Sequence, residues 1–529
     1  MPENKTRAIL LAIVLPTVLL LLIWLAWSFV SGGAGLPVSG NNKLVVGKPF
    51  GPSAARPDPA LHYNGWYLSE AGVTETLFHL DFSLHLQPLL AASYKQVDPL
   101  SWEVSLKKGI QFHDHSPLNA KAVKWSLERI IDPKSEVFNK RLQGLLDING
   151  ITVQNEHSLL FRTNSPNAAF LYNLTAPGTA ILSPASTTKR FFSTGPFILE
   201  KVIPNQEMIG RSFADYWQGK PGFDQVSLKI IANPATRMLA FEAGQLDVAV
   251  NFPEQDAVRL QGRSDVQIVQ QPTTRLCFLF VRVSDGPLAD PLIRQALNYA
   301  LDREEIVQAV LAGQGGMVAA SVFPQILPWA NANLQPYPYD TQKATQLLKQ
   351  AGLRDTDGDG MLEEDGHPLV LNIWTYEGRA ALKPALELIQ AQLRRVGIAS
   401  RTRITKKGSP INQAMEKGQV QLGLQMWNTA PQGDPDFFLS EIFTSQGGSN
   451  FMGYKNAELD ELVRKGKITF DQAERKQIYD RVQEIIYQES PVIPLFHQSL
   501  ISAVRGDIEQ FRSHPAEKYL ITHKLRRKE

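Results

Sequence analysis

The sequence predicts an α/β protein of two or more lobes, preceded by one N-terminal transmembrane helix. Residues 8–30 form an uninterrupted apolar run without a charged side chain. From Lys43 onward, short strand-like runs alternate with helical ones, a pattern typical of α/β sheets. The roughly 490 residues after residue 42 exceed the usual size of one domain, so more than one lobe is expected.

The apolar run is long enough to cross a membrane, because a helix of this length spans roughly 30 Å. Lys5 and Arg7 precede it, and this positive flank predicts a cytoplasmic N-terminus over residues 1–7. The small residues at 31–34 leave a cleaved signal peptide as the alternative. Residues 31–42 are predicted to form a flexible linker, and the rest of the chain is expected outside the cytoplasm.

The clearest α/β pattern lies in residues 368–427. Strand-like runs occupy residues 369–376, 398–405 and 421–427. Between the first two, leucine and isoleucine recur at helical spacing over residues 382–393, and Gly397 is placed to end that helix. A shorter helix is predicted at residues 411–417. The order β-α-β-α-β predicts parallel strands.

Capping patterns predict two further helix starts. Asp302 and Glu305 have the spacing of a capping box, as do Thr469 and Gln472. The character of the sequence changes near Gln270, where we place a domain boundary.

Composition excludes several classes of protein. Charged residues make up 20% of the chain and the net charge is +2, so nothing favours a nucleic-acid partner. The single cysteine, Cys277, lies in an apolar run and is expected to be buried. One cysteine can form neither an internal disulfide nor a thiolate metal cluster.

One acidic loop is a candidate metal site. Residues 355–366 place Asp355, Asp357 and Asp359 at alternate positions with Gly360 at a turn, as in the first half of a calcium loop. The twelfth position, where a bidentate glutamate is expected, is Gly366. A calcium-stabilised loop and a bare acidic turn both remain open, and no other cofactor is expected.

The sequence lacks the usual catalytic motifs and contains aromatic clusters that suit a binding cleft. No nucleophile elbow, phosphate-binding loop, dinucleotide fingerprint or zinc-protease motif occurs. Aromatic residues gather at Tyr63, Trp66 and Tyr67, and Trp427 is followed by Asp434. Small-molecule pockets are lined by aromatics with a few polar groups, although each of these residues could equally belong to a core.

Six segments, in order along the chain, resemble the family 5 extracellular solute-binding proteins, the receptors of dipeptide, oligopeptide and nickel-chelate ABC importers. The segments are GVTETLFHLD (72–81), WEVSLKKGIQFHDHSPLNAKAVKWSLER (102–129), STGPFILEK (193–201), NPATRMLAFEAGQLDVA (233–249), IRQALNYALDREEIV (293–307) and SNFMGYKNAELDELV (449–463). The chain departs from the family's pattern at Leu89, where tryptophan is usual, and at His115, where glycine is common.

The resemblance implies a two-lobed periplasmic-binding-protein-like fold of type II with an additional domain. Residues 43–269 are then lobe 1 with the additional domain, residues 270–490 are lobe 2, and residues 491–529 return to lobe 1. It implies a monomeric, non-enzymatic receptor on the periplasmic or extracytoplasmic face of the membrane. Such a receptor closes on its ligand and presents it to a permease.

The resemblance leaves two ligand classes, of which we rank a small peptide first. In peptide receptors an aspartate pairs with the amino terminus of the ligand, which points to Asp434 and, second, Asp436, although Asp434 is equally suited to start a helix. The nickel-chelate alternative is favoured by the aromatic residues near Tyr63, by Trp427 and by Arg141. It is weakened because residues 174–184 contain no basic side chain. A membrane-anchored ligand sensor that signals through a partner is a third alternative.

Overall fold

The computed structural model describes residues 42–528, except residues 188–189, 314, 365 and 407. The predicted transmembrane segment, residues 8–30, lies outside these described residues, as do the predicted cytoplasmic N-terminus and nearly all of the linker. Within the described part of the chain, no helix is long and apolar enough to cross a membrane.

The strands lie along the whole described chain. They are β1 Lys43–Lys48, β2 Phe78–Leu80, β3 Leu86–Pro88, β4 Ala91–Asp98, β5 Ser101–Leu106, β6 Ile148–Asn155, β7 Ser158–Thr163, β8 Phe197–Ile203, β9 Glu207–Ser212, β10 Gln225–Ile230, β11 Val248–Val250, β12 Val266–Val281, β13 Gly316–Val318, β14 Glu363–Glu364, β15 His367–Pro368, β16 Val370–Tyr376, β17 Ala399–Thr405, β18 Leu422–Asn428, β19 Val492–Arg505, β20 Ile508–Glu509 and β21 Arg526–Arg527.

The helices alternate with these strands. They are α1 Asn64–Glu70, α2 Ala120–Ile131, α3 Lys140–Leu146, α4 Phe170–Asn173, α5 Pro234–Glu242, α6 Glu254–Leu260, α7 Pro291–Ala300, α8 Arg303–Leu311, α9 Thr341–Gln350, α10 Leu382–Arg395, α11 Ser409–Glu416, α12 Asp436–Phe443, α13 Ala457–Ile468 and α14 Gln472–Glu489. The predicted α/β fold class is confirmed.

One mixed sheet of eleven strands dominates the fold, in the order β17-β16-β18-β12-β19-β11-β1-β10-β9-β8, with β13 paired to β19. We call β1 and β8–β11 its amino-terminal half, β16–β18 its carboxyl-terminal half, and β12 with β19 the central pair. A separate four-stranded antiparallel sheet, β4-β5-β7-β6, packs against α2 around its own apolar core.

The register places the carboxyl ends of both halves at the middle of the central pair. Val250, at the end of β11, pairs with Ser502 of β19, which in turn pairs with Val269 of β12. Asn428, at the end of β18, pairs with Arg275 of β12. The carboxyl ends of β11 and β18 therefore meet the central pair between Val269 and Arg275 of β12. Ligands of open α/β sheets bind beyond the carboxyl ends of strands, so this is where a site is expected.

The predicted β-α-β-α-β unit is confirmed, because β16 pairs in parallel with both β17 and β18. The predicted cap of α8 is also confirmed, since the Asp302 side chain accepts from the Glu305 N–H. The predicted start of α14 is wrong. Its cap is Asp471, which accepts from the Glu474 N–H, whereas Thr469 ends the preceding helix and donates its hydroxyl to the Lys465 carbonyl.

The boundary predicted near Gln270 falls inside β12, which runs without interruption from one half of the sheet to the other. The central pair is irregular just beyond it, between Pro272 and Arg275. Cys277 is fully buried in the apolar core of the carboxyl-terminal half, and burial raises the pKa of its thiol.

Candidate ligand-binding site

The aromatic residues predicted near the N-terminus line one helix at the carboxyl end of β1. Tyr63 precedes α1 and is 62% exposed. The Trp66 indole N–H donates to the Glu517 carbonyl at 3.1 Å. The Tyr67 ring lies 5.0 Å from the Lys48 ammonium, and burial raises the pKa of its hydroxyl to about 12.

Trp427 lies in the other half of the sheet, one residue before the end of β18. Its indole N–H donates to Gln425 at 2.9 Å, and its ring packs edge-on against Phe280 and Phe451. Its neighbour Asn428 donates to the Ala516 carbonyl at 3.0 Å. The carboxyl end of β18 is thereby joined to the C-terminal segment of the chain.

Arg141 lies apart from these aromatic residues. It is exposed on α3, and its guanidinium stacks over the Phe437 ring at 4.7 Å. This contact links the region of the four-stranded sheet to α12. The stacked position occupies one face of the guanidinium and leaves its edge to solvent.

Asp434 is 1% exposed and pairs with Arg475 through both carboxylate oxygens, at 2.5 and 2.9 Å. One of these oxygens also accepts from the Asp436 N–H, at the start of α12. Asp436 is itself buried, and burial together with the negative charge of Asp434 raises the pKa of its carboxyl. A ligand amine would have to displace Arg475 to reach Asp434.

The acidic loop brings its carboxylates together. Oxygens of Asp355, Asp357, Asp359 and Glu363 lie within 4.8 Å of one another. The three aspartates are exposed, whereas Glu363 is buried and accepts two hydrogen bonds from Thr356. Oxygen donors at this spacing suit calcium, with Glu363 as the fourth ligand, and calcium binding stays a prediction. The loop precedes β15 and β16, at the opposite end of β16 from the sheet's middle.

A group of charged residues that no sequence pattern singled out lies where the two halves meet. Arg379 follows the carboxyl end of β16, and its guanidinium lies 5.3 Å from the centroid of the Phe50 ring, which follows β1. Gly378 makes this approach feasible. Its φ of +95° is the left-handed region that favours glycine, and a Cβ there would lie 3.0 Å from the Phe50 ring.

Two other cations of this group have acidic partners. Arg275, at the middle of β12, forms a two-point pair with Glu517, at 2.6 and 2.9 Å. Lys48, at the end of β1, pairs with Glu70 of α1. Both pairs are largely removed from solvent, so their charges are compensated within the protein.

Arg379 differs, because none of the acidic residues that the structure describes lies within ion-pair distance of its guanidinium. Burial and the nearby positive charge of Arg275 lower its pKa, while Glu517 and Tyr376 oppose that shift. An arginine remains protonated under these conditions. Arg379 therefore carries a positive charge without an acidic contact partner among the described residues, at the meeting point of the two halves.

A sequence signal for Arg379 existed. The predicted strand over residues 369–376 is one of three parallel strands, and side chains just beyond the carboxyl ends of such strands line ligand sites. Arg275 and Glu517 had no such signal, because their pairing joins residues 242 positions apart.

The chain is similar to known proteins along most of its length. The family model of bacterial extracellular solute-binding proteins, family 5, middle region, matches residues 85–450. The chain is 31% identical over 451 residues to the glutathione-binding protein GsiB of Escherichia coli strain K12, covering 82% of this chain and 85% of that protein.

Solved structures match over nearly the same length. NikA from Staphylococcus aureus in complex with Ni(L-His)2 matches with a TM-score of 0.78 and 22% identity, covering 92% of this chain and 100% of that one. The oligopeptide-binding protein AppA from Bacillus subtilis, in complex with a nonapeptide, matches with a TM-score of 0.78 and 24% identity, covering 92% and 99%. At these identities the two structures establish a common fold.

Proposed function

Because the chain belongs to the family 5 bacterial extracellular solute-binding proteins, we propose that it captures a small peptide between two lobes and delivers it to the permease of an ABC importer. The observation that carries this proposal is Arg379, a cation without an acidic partner among the described residues, at the place where the two halves of the sheet meet. In this role the protein binds and releases its ligand unchanged.

A peptide carboxylate suits Arg379. A guanidinium presents two parallel N–H groups that match the two oxygens of a carboxylate. Arg379 is half-buried, and partial removal from water strengthens such a pair, in which the ligand supplies the negative charge. Phe50 and Tyr376 flank the guanidinium, so they would hold its plane in a fixed orientation.

The relatives support a peptide and keep the alternative open. Proteins at 31% identity are named for binding glutathione, a tripeptide, whereas NikA was solved with a nickel–histidine complex. Both ligands carry carboxylates, so Arg379 fits either. We rank the peptide first because residues 174–184 lack a basic side chain and because Arg141 stacks on Phe437, apart from Arg379.

The amine of the peptide needs a partner other than Arg379. Asp434, predicted to hold it, already pairs with Arg475. Tyr63 and Trp66, at the edge of the same cleft, offer aromatic faces to which a ligand ammonium would be attracted. A ligand amine at Asp434, the anchor predicted from the sequence, would have to displace Arg475.

Family members act outside the cytoplasm, and the proposal places the binding part of this chain there as well. The N-terminal helix over residues 8–30 remains a prediction of how the receptor is held at the membrane. A ligand sensor that signals through a partner would use the same cleft, and loss of peptide uptake in a deletion strain distinguishes a transporter receptor from such a sensor.

Isothermal titration of the full-length protein tests the proposal. We expect dipeptides and tripeptides with a free carboxyl terminus to bind, and their C-terminal amides to bind more weakly. Because a hydrogen bond to a charged group contributes about 1.5–3 kcal/mol, Arg379→Met should weaken binding roughly 10- to 150-fold.

Arg395→Met is the matched control, since Arg395 pairs with Glu305 on the surface of α10 and should leave binding unchanged. Equal affinity for free and amidated peptides would contradict the role of Arg379. Binding of Ni(L-His)2 without binding of any peptide would move the assignment to the chelate class.

A further inference from the structure

A turn near the C-terminus lies between the two halves of the sheet and is fixed by three partners. The Pro515 carbonyl accepts from the Thr274 N–H at 3.1 Å, and the Ala516 carbonyl accepts from Asn428 at 3.0 Å. The Glu517 carbonyl accepts from the Trp66 indole at 3.1 Å. The turn therefore touches the central pair, the end of β18 and α1 at once, and its backbone has one defined position.

Glu517 adopts a conformation that an ordinary side chain rarely takes. Its φ is +54°, in the left-handed region, and its N–H donates to the His514 carbonyl at 2.8 Å. A residue with a Cβ is disfavoured there, and glycine would be accommodated without this cost. Strained residues of this kind persist where surrounding contacts hold them, and they are frequent at ligand sites.

The side chain of Glu517 takes the position on Arg275 that a ligand carboxylate would take. Its two oxygens accept from Nε and from one terminal nitrogen of the guanidinium, at 2.6 and 2.9 Å. This is the two-point geometry by which arginine recognises a bound carboxylate. Both side chains are close to nine-tenths buried.

Three cations act on this one carboxylate. Burial raises the pKa of Glu517, but the positive charges of Arg275, Arg379 and Lys48 outweigh burial, so the pKa lies below its ordinary value. Since Lys48 pairs with Glu70 and Arg275 with Glu517, Arg379 is the cation beside Glu517 that has no acidic residue of its own within ion-pair distance among the described residues. Without Glu517, both guanidinium groups would lack a negative partner.

We propose that Glu517 sets the charge class of the ligand, by occupying Arg275 as a built-in carboxylate and leaving Arg379 for a single carboxylate of the ligand. This inference rests on the proposed function. A peptide with one carboxylate pairs that group with Arg379. A peptide that brings a second carboxylate to Arg275 meets Glu517, a like charge in a site that screens it poorly.

Glu517→Gln tests this directly, because glutamine keeps the shape of the side chain and removes its charge. The probes are dipeptides that differ by one carboxylate: Ala-Gln against Ala-Glu, and Gln-Ala against Glu-Ala. We expect the wild-type protein to bind the glutamine peptides at least about tenfold more tightly than the glutamate peptides. In the variant this preference should disappear or reverse, through tighter binding of the glutamate peptides. Glutathione, which has two carboxylates, should also bind the variant more tightly.

Glu242→Gln is the matched control. Glu242 likewise accepts from an arginine, Arg259, at 2.7 Å, but on the surface of α5. Glu242→Gln should keep the wild-type ratio of the affinities for the two peptides of each pair.

The outcomes separate the inference from the proposed function. If the wild-type protein binds peptides and Glu517→Gln leaves the ratio unchanged, the inference is wrong and the receptor function stands. If the variant loses both peptides of a pair equally and melts earlier, Glu517 is only structural, which also overturns the inference. If the wild-type protein binds none of the peptides, both proposals fall.

Discussion

Asp434→Ala removes one partner of an ion pair whose side chains are 1% and 3% exposed. Arg475 would then keep its charge between Trp329 and Tyr479, with the Gly466 carbonyl and the Tyr479 hydroxyl as remaining acceptors and the carboxyl of Asp436 nearby. Breaking a buried pair on one side costs about 3–5 kcal/mol. Losing the hydrogen bond to the Asp436 N–H, which starts α12, adds about 1 kcal/mol. We therefore expect the free energy of unfolding to fall by about 4–6 kcal/mol.

Urea unfolding followed by tryptophan fluorescence measures this loss, and a double-mutant cycle assigns it to the pair. Arg475→Met should be similarly destabilising, because it removes the guanidinium that pairs with Asp434 and leaves the two buried carboxyl groups of Asp434 and Asp436 beside each other. The double variant should lower the free energy of unfolding by clearly less than the sum of the two single losses, with a coupling energy of about 2–3 kcal/mol. Additive losses would contradict the pairing.

The same variants decide whether Asp434 also holds the ligand. If Arg475 is its partner, Asp434→Asn should lower stability while peptide affinity stays within about threefold of wild type. A loss of affinity beyond tenfold with unchanged stability would instead identify Asp434 as the anchor of the ligand amine.

Two further predictions concern Glu254 and the acidic loop. Glu254 is 3% exposed beside Gln498, and burial raises its pKa to about 7, so the folded state holds an extra proton between roughly pH 4.5 and 7. The free energy of unfolding should fall by up to about 3 kcal/mol as pH rises through that range. Glu254→Gln should remove this part of the fall. Identical pH profiles of stability for the wild-type protein and the variant would contradict the prediction. About 1 mM calcium should raise the melting temperature, more than the same concentration of magnesium, and Asp357→Asn should abolish the rise. An equal rise in that variant would leave residues 355–366 as a bare acidic turn.

The sequence was informative where the signal is local. Apolar spacing over residues 369–427 predicts three parallel strands and the helices between them because strand and helix periods are set by near neighbours. Thr469 shows how local capping signals compete. Two caps were available within three residues, and Asp471 forms the better one.

The charged group at the meeting point was not predictable in the same way. From its neighbours in the sequence, Asp434 could either start a helix or offer its carboxylate to a ligand. Only the fold shows that Arg475, 41 positions away, pairs with that carboxylate. Glu517 looks like an ordinary polar residue near the C-terminus. Its left-handed backbone and its pairing with Arg275 depend on three distant elements meeting around one turn.

The central pair has a mechanical consequence. Pro272 has no N–H to donate, and Thr273 and Thr274 have no opposite residue in β19, so the ladder is weakest where the two halves meet. The regular pairing of β12 with β19 is thus interrupted between Pro272 and Arg275, as it is again between Cys277 and Phe278. The irregular segment between Pro272 and Arg275 is thus a separate stretch of chain from the regularly paired strands of the two halves. Arg379 and Phe50, which belong to the proposed ligand site, lie on loops outside this irregular segment, so their side chains can be exchanged without changing the pairing of β12 with β19.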